Sequence, residues 1–186
     1  MERLTPLDES KLTEAEREVL EAITTGPRGN MGLVGPFGVF VRAPRVGNAA
    51  QALGAEVRFG TELSERLKEI AICVVGACYR ARFEFAAHAR LAERAGVDPA
   101  AVEAIRRGED PGFRDEEAAS VHSFSRQLVW TRHVDDATYT RARDALGERK
   151  LVELVLTIGY YTLVSCVLNA FDVPLPDDMT DPFPEG

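Results

Sequence analysis

Apolar residues recur at three- and four-residue intervals along most of this chain, and the alternating runs that would mark strands are short. Thr13-Glu14-Ala15-Glu16 has the form of a capping box and opens a helix that reaches about Ile23. Pro44 begins a second helix, to about Phe59. Ser64 caps a third, with Leu67, Ile70, Ala71, Val74 and Val75 on its apolar stripe. The pattern resumes from Ala81 to Ala95 and stops at Gly96, a natural C-terminal cap. One unbroken helix across both stretches would be unusually long, so a kink or break is expected between Gly76 and Arg80. Asp98-Pro99 restarts the chain in a helix that ends at Gly108. Further helices are predicted over about 115–132, 136–146 (closed by Gly147) and 148–171, and Pro174, Pro176 and Pro182 keep the tail non-helical.

Between the first two helices, residues 26–38 hold five glycines and two prolines, which predicts a long loop. Its apolar members Met31, Leu33, Val34 and Phe37 predict that it packs down onto the body, and long packed loops are often functional. The reading is an all-α bundle in one domain. It is divided as 1–43 (N-terminal helix and loop), 44–108 (core) and 109–186 (C-terminal helices and proline-rich tail).

The chain's 186 residues, 45% of them hydrophobic and 28% charged, are those of an ordinary globular domain with a real core. A net charge of −8 and the lack of a clustered basic face argue against nucleic acid as a partner. Three cysteines (Cys73, Cys78, Cys166) without framework spacing fit reduced thiols, and residues 1–6 lack the apolar run of a signal peptide, so a cytoplasmic location is expected. Residues 154–171 carry no charged side chain and are long enough to resemble a membrane span. Gly159, Ser165 and Asn169 interrupt the run, and no aromatic belt flanks it, so no membrane is expected. The segment reads as a bundle centre or a subunit contact.

Candidate chemistry lies in Glu84-Phe85-Ala86-Ala87-His88. Residues four apart share a helix face, so the Glu84 carboxylate can lie beside the His88 imidazole, and a carboxylate there sets the tautomer for proton transfer near neutral pH. Either the pair lines a pocket as acid and base, or it fixes the helix by a buried hydrogen bond. Glu69 either holds His88, moves a proton itself, or pairs with a cation such as Arg80. Arg28 suits a substrate carboxylate or a surface salt bridge, and Arg80 and Arg82 carry the same alternatives. Tyr160 and Tyr161 offer a hydroxyl to a pocket or fill the core. Glu-x-x-x-His could hold a metal from one turn, but His122 and His133 sit in polar, exposed-looking settings and supply no second ligand set. The cysteines read as small buried hydrophobes.

The segments Leu67-Lys68-Glu69-Ile70-Ala71-Ile72, Phe83-Glu84-Phe85-Ala86-Ala87-His88 and Ala92-Glu93-Arg94-Ala95-Gly96-Val97 together resemble the carboxymuconolactone decarboxylase family. That family shares its fold with the alkylhydroperoxidase D-like proteins. The likeness covers about residues 44–108. Gly35-Pro36-Phe37-Gly38, Gly159-Tyr160-Tyr161 and Leu168-Asn169-Ala170-Phe171-Asp172-Val173-Pro174 extend it. The peroxidase branch uses Cys-x-x-Cys-x-x-x-His with a Glu nineteen residues before the His. Aligned on His88, Glu69 keeps that place, but the cysteine positions fall on Ala81 and Glu84. Cys73 and Cys78 do not replace them, because five helical residues turn the side chains about 140° apart. Glu84 and His88 instead match the Glu-x-x-x-His of the decarboxylase-like branch.

The resemblance therefore implies an alkylhydroperoxidase D-like bundle with helical extensions at both ends. Its expected activity is decarboxylation of a carboxylated lactone or related small cyclic acid. His88, Glu84 and Glu69 would be the catalytic set, and Arg28, Phe37, Arg80 and Tyr160 would touch the substrate. It implies no cofactor and no metal, and a homo-oligomer, trimer or hexamer. Peroxidase activity and a non-catalytic binding or assembly role on the same fold are the alternatives.

Overall fold

The computed structural model describes residues 3–184. Eight α-helices and no strand are found among them: α1 (Glu14–Thr24), α2 (Phe37–Phe40), α3 (Pro44–Phe59), α4 (Glu65–Tyr79), α5 (Arg82–Arg94), α6 (Pro99–Arg107), α7 (Glu116–Thr131) and α8 (Asp136–Ala170). The capping box at Thr13 forms on both sides, and Ser64, Asp98, Asp115 and Asp135 each cap a helix start with a side-chain oxygen. The glycine-rich loop ends sooner than its composition predicts. Phe37 and Phe40 are buried, and burying them together closes the single turn of α2.

The expected break falls at Arg80, which caps α4 in the left-handed region (φ 47°), and α5 then doubles back along α4. The two axes come close because Gly76 has no side chain; a Cβ there would stand 3.3 Å from the backbone of Phe85. At Gly147 (φ 78°, ψ 161°) the last two predicted helices meet in a kink and continue as α8.

The centre of the bundle is α4, not the apolar C-terminal helix. Every residue from Leu67 to Ala77 is buried, and α5, α6, α7 and α8 all pack against α4. The 18-residue apolar window of α8 is long enough to cross a membrane by length and composition, yet half of it is buried inside the fold. Leu154, Ile158, Tyr161, Val164 and Leu168 face inward, while Val152, Val155, Leu156 and Leu163 form an exposed apolar stripe.

Two sequence expectations are corrected by burial. His122 is buried against the ring of Phe113 rather than exposed, and Cys166 is exposed rather than buried. The C-terminal segment straps α5 in place. Arg82 pairs with Asp172 and Asp181 at 2.8 and 3.2 Å, Arg90 pairs with Asp178 at 2.6 Å, and Phe183 packs edge-on against Phe85.

Candidate active site

A cavity of about 290 Å³ opens between α5, α8, the end of α3 and the glycine-rich loop. Its walls are mainly apolar and aromatic, and its few polar groups are Arg28, Arg58, Glu84, His88 and the two tyrosines. Glu84 and His88 project into it from successive turns of α5, as their spacing predicts.

His88 does not take its hydrogen bond from Glu84. Its Nδ1 lies 2.7 Å from Glu69 Oε2, on the next helix over. Glu69 sits behind the cavity, 1% exposed, and its other oxygen accepts a hydrogen bond from the Arg58 guanidinium, which also meets Glu65 at 3.4 Å. Burial works against the charge of Glu69, but the neighbouring His88 and Arg58 outweigh it and hold the carboxyl below its usual range. An ionised carboxylate only accepts, so Nδ1 carries the donated proton and Nε2 is the nitrogen left to the cavity. Tyr161 stands edge-on to the imidazole, ring centres 4.9 Å apart, and limits its rotation.

Glu84 has the opposite electrostatics. It is 1% exposed, and no cation answers it. Burial pushes its carboxyl well above the ordinary range, only partly countered by Ser165, whose hydroxyl donates to Oε1 at 2.6 Å. Oε2 is buried with no partner among the described residues. The cavity thus holds a carboxyl whose burial favours its neutral form and an imidazole that Glu69 fixes from behind.

The remaining expected residues divide. Arg28, on the loop, donates to the Gln51 carbonyl at 2.8 Å, lies over the Phe37 ring at 5.4 Å and shares the cavity wall with Tyr160. Arg80 stands outside the cavity, because its left-handed cap turns the side chain away to stack on Phe183 at 5.2 Å. No cysteine lines the cavity. Cys73 is sealed in the core, where burial and then the nearby Glu69 and Glu84 push its thiol up; Cys78 points toward the Val129 carbonyl and Cys166 lies on the surface.

Two site residues escaped the sequence reading. Arg58 gave no signal beyond a cation in the last turn of α3, since its partner lies on another helix. Ser165 gave a faint one, a hydroxyl within an apolar run.

No protein-family model matches the sequence, and no curated protein matches it. Solved structures do match the fold. The debrominase Bmp8 superposes with a TM-score of 0.73 over 93% of this chain and 91% of its own, at 15% identity. A variant of that enzyme, solved with 2,3,4-tribromopyrrole, gives 0.71 at 16% identity over the same shares. An Agrobacterium tumefaciens protein of unknown function, proposed to be the antioxidant defence protein AhpD, gives 0.65 at 14% identity, over 75% of this chain and 97% of that one. A peroxidase-related protein from Silicibacter sp. TM1040 gives 0.72 at 15% identity, over 95% and 93%. The chain therefore has the AhpD-like all-α fold as a single domain.

Proposed function

We propose that the protein is a cofactor-independent enzyme that moves a proton on a small cyclic carboxylated compound, with decarboxylation of a carboxylated lactone or related ring acid as its reaction. The observation that carries this reading is the His88–Glu69–Arg58 chain behind a mainly apolar cavity. When the bond to the carboxylate carbon breaks and carbon dioxide leaves, its electron pair passes into a conjugated substrate carbonyl. The protonated imidazole delivers its Nε2 proton to the ring carbon, becomes neutral, and is reprotonated from solvent. Glu69 holds the ring orientation and stabilises the imidazolium, and Arg58 keeps Glu69 ionised. Arg28, which lines the cavity, would meet the substrate carboxylate.

A fold neighbour that acts as a debrominase and is seen with a brominated pyrrole supports the view that such a cavity hosts chemistry on a compact ring. The absence of any thiol from the cavity wall speaks against the peroxidase reading, which needs a reactive thiolate near a second sulfur. We place the enzyme in the cytoplasm as a homo-oligomer. The test is release of carbon dioxide from a panel of carboxylated γ-lactones. Turnover by the wild type that vanishes in His88→Ala with unchanged helical circular dichroism is expected. Equal turnover by both proteins, or none from any member, overturns the proposal.

A further inference from the structure

Ser165 and Glu84 join α8 to α5 by one hydrogen bond, 2.6 Å long, between two side chains that are at most 1% exposed. A serine or threonine on a helix can give its proton to the carbonyl one turn back, as Ser123 gives to Ala119 and Thr157 to Glu153, each at 2.8 Å. Ser165 does not. Among the described residues its hydroxyl has no partner except Glu84 Oε1. A neutral carboxyl here has two ways to hold its proton. On Oε1 the proton would point at Ser165 and leave the serine O–H buried without an acceptor. On Oε2, Oε1 accepts from Ser165 and every hydrogen in the pair is used except the one on Oε2. That remaining donor belongs to a residue that lines the cavity.

We propose that Ser165 is a positioning residue that keeps the Glu84 proton on Oε2, so that Glu84 presents a hydrogen-bond donor to a carbonyl or enolate oxygen of the ligand. The ligand class follows from the two ends of the site: a ring whose carbonyl oxygen meets Glu84 and whose neighbouring carbon meets His88. The electron pair released at that carbon would come to rest on the oxygen that Glu84 holds, a use of a neutral acid at a developing oxyanion. The inference rests on the proton-transfer reading of the cavity, but its test needs no turnover, so the two fail separately.

Infrared spectra at neutral pH of the wild type, Glu84→Gln, Ser165→Ala and Ser165→Thr read the carboxyl directly. The wild type should show a protonated-carboxyl C=O band that is lost in Glu84→Gln. The band should shift to higher frequency in Ser165→Ala, where the carbonyl oxygen loses its donor, and return in Ser165→Thr. Absence of the band, or a Ser165→Ala band in the wild-type position, overturns the assignment. 4-Nitrophenol then reports the direction of the donor, since its visible absorbance distinguishes anion from neutral phenol. A donor on Oε2 holds the anion at a pH where free probe in solution is mostly neutral. Failure to hold the anion, whether by binding neutral phenol or by not binding, overturns the donor role.

Discussion

The Nδ1 atom of His88 and the Oε2 atom of Glu69 stand 2.7 Å apart, joining α5 to α4 across nineteen residues of sequence. Glu69 belongs to the helix at the centre of the bundle, so the His88 imidazole is tied to the most deeply buried element. Replacing Glu69 by Gln keeps the shape and removes the charge. The proposed turnover should then fall by at least ~10²-fold, the low end of what positioned acid–base groups contribute. Steady-state rates on the responsive lactone, with circular dichroism as the folding control, check this.

Truncating the same residue should be far costlier to the fold. Glu69→Ala leaves the Arg58 guanidinium, 15% exposed, without its buried counter-charge. Loss of one partner from a buried pair typically costs ~3–5 kcal/mol. Urea unfolding of the wild type, Glu69→Gln and Glu69→Ala should rank them in that order of falling stability.

Opposite electrostatics at the two carboxyls give opposite pH dependences. Glu69 titrates below its ordinary value of 4.5 in the folded protein, so the stability it contributes is present above that value and lost as pH falls through the lowered one. Glu84 titrates well above 4.5 when folded; the native state keeps a proton that the unfolded chain releases, and stability declines as pH rises from 4.5 toward the raised value. Glu84→Gln removes the second effect. Its urea midpoint should gain on the wild type with each step upward in pH, whereas a constant gap would show that Glu84 is not held neutral.

Gly54 is where α3 and α8 approach beside the cavity. A Cβ there would stand 2.0 Å from the Tyr160 hydroxyl oxygen and 2.6 Å from an Arg28 nitrogen. Gly54→Ala should destabilise by ~1–3 kcal/mol, as overpacking does. It should also raise the KM of the proposed reaction more than it lowers kcat, because both displaced side chains line the cavity.

The exposed stripe of Val152, Val155, Leu156 and Leu163 on α8 is the surface expected to bury itself in the proposed homo-oligomer. Light scattering should report a trimer or hexamer for the wild type. Leu156→Asp with Leu163→Asp should give a monomer of unchanged helicity.

Helix starts were the most legible feature, because Thr13, Ser64, Asp98, Asp115 and Asp135 each satisfy the first turn from within a few residues. The shared face of Glu84 and His88 was legible for the same reason: α-helical repeat alone dictates it. The alignment on His88 also singled out Glu69 as a candidate partner. Burial inside a full bundle was harder to read. His122 looked polar from its neighbours but is covered by Phe113, and Cys166 looked apolar but faces outward, because the sides left uncovered depend on which helices pack where.

Local sequence thus determined the helices, their caps, the loop and the two polar side chains on one face of α5, since each depends on atoms only a turn or two apart. Tertiary packing decided the chemistry of that face. It brought Glu69 and Arg58 behind His88, gave Glu84 to Ser165, and turned Arg80 away. Spacing along one helix states that two side chains can meet. Which of them keeps its charge depends on the cations, hydroxyls and desolvation that other helices supply.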